Sequence, residues 1–217
     1  GPTHHGMFDL TYLRMIPNMT IMVPQNGAEL RCMIEFAYNH EIGPLAIRYP
    51  RGNTFELDEN KIPPLELGKS QILRKGKNVV LLAVGTMVEK AEQVADILEK
   101  DGVYASVINA RFVKPLDEDL IVNLGRDAKL LVSIEENTIR GGFGSGVLEI
   151  LSKNSICIPT LLIGAPDRFI PQGSQEEQLN EAKLNVEHIY DRVFENIPEF
   201  LKKIRKKRTI KQKEIAS

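Results

Sequence analysis

The chain reads as an α/β protein in two units: a partial unit at the start, then a complete one with a mostly parallel sheet covered on both faces. Three observations carry that reading. Short β-branched apolar runs alternate with stretches whose apolar residues fall at helical spacing. Helix-start signals recur between them, in Asn26 with Glu29, Thr86 with Glu89 and Ser174 with Glu177. A weakly periodic connector containing Pro63-Pro64 separates the two units.

Met7 to Arg14 fits a short helix, closed by Ile16-Pro17-Asn18. Thr20-Ile21-Met22-Val23 is a buried strand ended by Pro24. The helix that Asn26 opens carries Leu30, Met33, Ile34 and Ala37 on one face and breaks at Gly43-Pro44. Leu45-Ala46-Ile47-Arg48-Tyr49 is the next strand. A strand-helix-strand unit has parallel strands packed on both faces. Two strands cannot close a sheet, so residues 1–60 are expected to lean on further chain or on a partner. Residues 61–76 are read as a linker, with a short edge strand between Leu67 and Leu73.

Residues 77–206 form the complete domain. Val79 to Val84 is a continuous apolar strand, and the helix after it buries Val88, Ala91, Val94, Ala95 and Leu98 before Gly102 stops it. Tyr104 to Asn109, Lys129 to Ile134 and Pro159 to Gly164 are three more strands. Between them Asp117 caps a short helix ending at Gly125, and Gly144 to Ser152 is another. Ser174 and Asn185 open the last two, the final one carrying Ile189, Val193, Phe194 and Ile197 at helical spacing. Strands alternating with helices give a three-layer α/β domain.

At 217 residues with 42% hydrophobic and 26% charged content, the chain can bury a real core. No apolar run is long enough to span a bilayer, and the start carries no signal-peptide pattern. Cys32 and Cys157 lie far apart in apolar surroundings, which predicts buried free thiols and a reducing cytoplasm. The net charge of −1 hides an asymmetry: residues 199–217 hold eight of the 28 basic residues and two of the 29 acidic ones. That basic tail, disordered from about residue 207, is read as a frayed helix end. No aromatic residue follows Phe200 to stack on a base, so neither nucleic acid nor membrane is expected as a partner.

Several blocks carry a resemblance. They are Gly1-Pro2-Thr3-His4-His5-Gly6 with Phe8-Asp9-Leu10, Leu13-Arg14 with Ile16-Pro17-Asn18-Met19, and Arg48-Tyr49-Pro50-Arg51-Gly52. They continue with Arg111-Phe112-Val113-Lys114-Pro115-Leu116-Asp117, Glu135-Glu136-Asn137, Gly141-Gly142-Phe143-Gly144-Ser145-Gly146 and Gly164-Ala165-Pro166-Asp167-Arg168-Phe169-Ile170-Pro171-Gln172-Gly173. Together they resemble, in order, the late part of the 1-deoxy-D-xylulose-5-phosphate synthases, a branch of the thiamine-diphosphate-dependent transketolase family. The resemblance implies that residues 1–60 are the remainder of a pyrimidine-binding domain and residues 77–206 the transketolase C-terminal domain. It also implies an enzyme that condenses pyruvate with glyceraldehyde 3-phosphate, releases carbon dioxide and feeds isoprenoid and thiamine biosynthesis. Thiamine diphosphate and Mg2+ would be its cofactors and a homodimer its working form. A transketolase, a 2-oxo-acid dehydrogenase β subunit and a non-catalytic dimerisation module are the alternatives.

His4 is the candidate catalytic residue. An imidazole at a turn changes its charge near neutral pH, and by the resemblance it faces the thiazolium, bonds substrate oxygens and shuttles protons. His5 suits a solvated or packing role, and a tag remnant is the bland reading of the pair. Arg51 is the candidate substrate-binding residue, because a guanidinium fork suits a phosphate and the strand end before it is where open α/β sheets bind ligands. Arg48 fits an internal ion pair instead. The glycine cluster at 141–146 lacks a nucleotide fingerprint and is read as close packing. Adjacent Glu135 and Glu136 point to opposite faces of a strand, so they order loops and are no carboxylate pair. His40 and His188 are read as surface residues on helices.

The family's Gly-Asp-Gly…Asn diphosphate motif and its ylide-generating glutamate are not in this sequence, and only Gly1 remains of the Asp-Gly before Pro2. The expectation is a C-terminal portion whose partner is the missing N-terminal part of the same enzyme. On its own it is expected to hold neither cofactor nor metal and to be inactive.

Overall fold

The computed structural model describes residues 5–54, 58, 60 and 62–199. His4 and the basic tail from residue 200 onward lie outside the described residues. Fifteen elements follow one another there: α1 (Asp9–Arg14), β1 (Thr20–Met22), α2 (Gly27–Tyr38), β2 (Leu45–Ile47), β3 (Gln71–Arg74), β4 (Val79–Ala83), α3 (Met87–Lys100), β5 (Ala105–Asn109), β6 (Phe112–Lys114), α4 (Glu118–Asp127), β7 (Leu130–Thr138), α5 (Phe143–Lys153), β8 (Thr160–Ala165), α6 (Gln175–Glu181) and α7 (Val186–Asn196).

The main sheet has the order β3-β5-β4-β7-β8. Its three pairings among β5, β4, β7 and β8 are parallel, in keeping with the expected α/β fold, and β3 closes the edge antiparallel to β5. The pleat of β4 sorts the core. Val79, Leu81 and Ala83 face α3 and α7, packing on Val88, Ala91, Leu98, Ile189 and Val193. Val80, Leu82 and Val84 face the other way, against Ile121, Phe143, Val147 and Leu151 of α4 and α5.

That second face also buries Leu10, Ile21 and Val23 from the first sixty residues. The start of the chain therefore packs directly on the C-terminal domain. Sequence periodicity passed over the strand that joins them: β6 pairs antiparallel with β1, while β2 pairs parallel with β1 on its other side. Three residues of strand are too few to show an alternation. Beneath this small sheet Met22, Met33 and Phe112 form their own buried cluster.

A fully buried polar group also ties the two parts. Glu29 of α2 accepts from Asn109 Nδ2 (2.9 Å), at the end of β5, and from Arg111 Nε (2.8 Å), on the β5–β6 connection. Arg111 adopts a left-handed φ of 59°, which aims its guanidinium back at Glu29 and Gln71.

Three local readings need correction. Thr86 gives α3 no side-chain cap: its backbone is already helical (φ −58°, ψ −17°), and its hydroxyl donates to Glu136 Oε2 at 2.6 Å instead. Cys157 is exposed and Cys32 only half-buried, so neither is a buried thiol, though both are outside any disulfide. His40 and His188 are half-buried. His40 lies just past α2, within 2.7 Å of the Ile42 carbonyl, and His188 Nδ1 meets Asn185 Oδ1 at 2.5 Å.

Candidate functional site

The C-terminal ends of β1, β2, β4 and β7 point to one side of the molecule, where open α/β folds place their ligands. A cavity of about 700 Å³ lies there, lined among others by Asn26, Tyr49, Thr86, Lys90 and Gln175.

Arg48, directly after β2, is nearly buried and fully engaged. Its Nη2 donates to the Gly6 carbonyl and to the Glu136 carbonyl, each at 2.9 Å. Its Nε stands 3.4 Å from Asp9 Oδ2, and its Nη1 stands 3.7 Å from Glu136 Oε2. Burial raises the Asp9 carboxyl above its ordinary value, and the Arg48 guanidinium opposes that shift. Arg48 is thus the internal ion pair its position suggested.

Arg51 behaves differently. It is exposed and, among the described residues, has no hydrogen-bond or ion-pair partner. Residues 49–53 have no regular secondary structure, and four of them, Tyr49, Pro50, Gly52 and Asn53, line the cavity. His5 is half-buried, its Nε2 2.9 Å from the Gln178 amide of α6. That bond gives it a packing partner in the C-terminal domain.

On β7, Glu135 and Glu136 do part to opposite faces. Glu136 turns to Arg48 and Thr86. Glu135 turns inward, fully buried, and accepts from the Phe143 and Gly144 backbone N–H groups at 2.7 and 2.9 Å, capping α5. Burial pushes its carboxyl up to about 7, against those two hydrogen bonds. The glycines around it are there for space. A Cβ on Gly142 would collide with the Glu135 carboxylate, and one on Gly146 would come within 2.7 Å of Arg14 Nη2. Arg14 in turn donates to the carbonyls of Gly141 (2.6 Å) and Gly142 (2.8 Å), locking α1 to this loop. The sequence reading missed Asp9, Thr54, Thr86 and the Glu29–Asn109–Arg111 group. Of these, Glu29 and Thr86 carried a signal only as helix-start residues, and Asp9 and Arg111 only within the family blocks.

Residues 68–189 match the family model of the transketolase C-terminal domain, and residues 1–56 match that of the transketolase pyrimidine-binding domain. The chain belongs to the transketolase family. Its curated relatives include the 1-deoxy-D-xylulose-5-phosphate synthase of Thermosynechococcus vestitus, 48% identical over 179 residues, which is 82% of this chain and 28% of that protein. The synthase of Microcystis aeruginosa is 46% identical over 196 residues, 89% of this chain and 31% of that protein. The chain therefore spans about three tenths of the length of these transketolase-family relatives. A solved structure described as a split gene transketolase, inactive β4 tetramer, superposes with a TM-score of 0.84 at 31% identity, covering 91% of this chain and 64% of that one. The transketolase of Campylobacter jejuni shares the fold, with a TM-score of 0.70 at 20% identity over 90% of this chain and 29% of that one.

Proposed function

We propose that this chain supplies the C-terminal part of a thiamine-diphosphate-dependent 1-deoxy-D-xylulose-5-phosphate synthase, with residues 1–60 completing a pyrimidine-binding domain and 77–206 forming the C-terminal domain. The intact enzyme joins pyruvate to glyceraldehyde 3-phosphate and releases carbon dioxide. The observation that carries this reading is Arg51, which stands exposed and unpaired among the described residues at the carboxyl end of a parallel strand, while the neighbouring Arg48 is consumed by internal contacts. A free guanidinium there suits the phosphate of the acceptor substrate. His4, two residues before the anchored Gly6, holds and moves a proton at the substrate oxygens.

When bound, thiamine diphosphate supplies the carbanion chemistry. Among the described residues no three His, Cys, Asp or Glu side chains stand close enough to hold a metal ion, and the Gly-Asp-Gly…Asn motif that the resemblance assigns to the magnesium-diphosphate end is not in this sequence. That end belongs to the rest of the enzyme, and this chain works as one part of a homodimeric assembly, inactive alone. The description of the split gene transketolase supports a two-polypeptide arrangement. Among the described residues no helix is long and apolar enough to cross a membrane, and two cysteines outside any disulfide suit the cytoplasm.

The test combines the purified chain with the polypeptide bearing the rest of the synthase and assays carbon dioxide release from pyruvate with glyceraldehyde 3-phosphate. Activity is expected only in the mixture. Arg51→Met should raise KM for glyceraldehyde 3-phosphate by about 10-fold or more while leaving that for pyruvate near its original value. Ketol transfer between sugar phosphates without decarboxylation would identify a transketolase instead.

A further inference from the structure

Residues 49–53 form an arch whose two feet are pinned, and both pins are side chains that the phosphate-binding reading leaves without a role. One foot is Arg48. Its backbone N–H still donates to the Met22 carbonyl (2.9 Å), so the arch starts where the strand pairing ends. From there its guanidinium reaches acceptors on two separate segments, at Gly6 and Asp9 on one and Glu136 on the other. The other foot is Thr54, whose Oγ1 accepts from the Gly27 backbone N–H at 2.9 Å. That N–H opens α2, and a Cβ on Gly27 would come within 2.6 Å of Thr54 Cγ2, so the glycine admits the close approach. Between the feet, Tyr49, Arg51, Gly52 and Asn53 are exposed and belong to no sheet or helix.

The geometry points to Thr54 and Arg48 as positioning residues that hold this arch and thereby fix where the Arg51 guanidinium meets the phosphate of its substrate. A five-residue stretch with no ladder of its own keeps one conformation only through its ends, and freezing it beforehand removes an ordering cost from substrate binding. Thr54 bears on the arch through its bond to the start of α2. Arg48 also anchors the Gly6 turn, so its loss reaches the segment carrying His4 as well. This inference rests on the proposed phosphate-binding role of Arg51.

Two measurements test it. In the chain alone, hydrogen exchange of the amides that close the two feet of the arch should quicken about 10-fold, Gly27 in Thr54→Val and Arg48 in Arg48→Lys, with β4, β5 and β7 unchanged. In the assembled synthase, Thr54→Val should raise KM for glyceraldehyde 3-phosphate roughly 3- to 10-fold with kcat within about 2-fold, and Thr54→Ser should restore it. Arg48→Lys should raise that KM and lower kcat together. Placed in an Arg51→Met background, Thr54→Val should add less than about 2-fold, because the group it positions is gone. Unchanged exchange at the feet of the arch, an unchanged KM, or an undiminished effect without Arg51 would each overturn the inference. A wild-type assembly without synthase activity would overturn the functional reading beneath it, while the exchange result would still report whether the arch is pinned.

Discussion

Glu135 is fully buried, yet its carboxylate accepts two backbone N–H groups at the start of α5, and burial outweighs those bonds to lift it to about 7. The consequence for stability has a definite sign. From about pH 4.5 upward the unfolded chain has released this proton while the folded chain keeps it until about pH 7. Folding therefore loses stability across that window and levels off above it, by on the order of 3 kcal/mol in all. Glu135→Gln, which cannot titrate, should lack this component. The difference between the two proteins' urea midpoints should thus change steadily from pH 4.5 to pH 7 and stay constant from pH 7 to 8. A difference that is flat throughout would mean that the two amide bonds hold the carboxylate ionised.

Two helix starts that look alike in sequence differ in the fold. Ser174 caps α6 in full, its hydroxyl accepting from the Glu177 N–H (3.2 Å) and Glu177 Oε2 accepting from the Ser174 N–H (2.8 Å). Thr86 stands at the start of α3 with Glu89 at the matching place, but its hydroxyl is spent on Glu136. Ser174→Ala should therefore cost about 1 kcal/mol through α6. Thr86→Val should leave the start of α3 as it is and instead release Glu136 and Arg48 beside the arch. Exchange of the first-turn amides of each helix separates the two outcomes. The reason is the backbone: Ser174 is extended, which brings its hydroxyl over the first turn of α6, whereas Thr86 already has helical dihedrals and its hydroxyl points to Glu136 at the end of β7.

Across the whole molecule, the first sixty residues are built into the C-terminal domain by three independent means. These are the β1–β6 pairing, the burial of Leu10, Ile21 and Val23 on the main sheet, and the Glu29–Arg111 pair. Glu29→Ala would leave Arg111 buried without its carboxylate, a loss of about 3–5 kcal/mol. Because the two parts share one core, urea unfolding should remain a single transition in that variant, with β1 and β4 amides losing protection together. Earlier melting of β1 alone would show that the small sheet depends on further chain, as two strands read by themselves suggest.

The sequence by itself determined the α/β class, the strand-helix alternation, most helix starts and the family blocks that nominate His4 and Arg51, because periodicity, capping and motif are local properties of neighbouring residues. It separated Arg48 from Arg51 only as a leaning, and it was blind to β6, to the Thr54 pin and to the Glu29 clasp. Those are meetings of residues 27 to 93 positions apart, such as Gly27 with Thr54, Glu29 with Arg111 and Ile21 with Lys114. No local pattern encodes such pairs. Only the tertiary structure decides which arginine is spent inside and which is left free, because that depends on which carboxylates and carbonyls the packed sheets bring to its side.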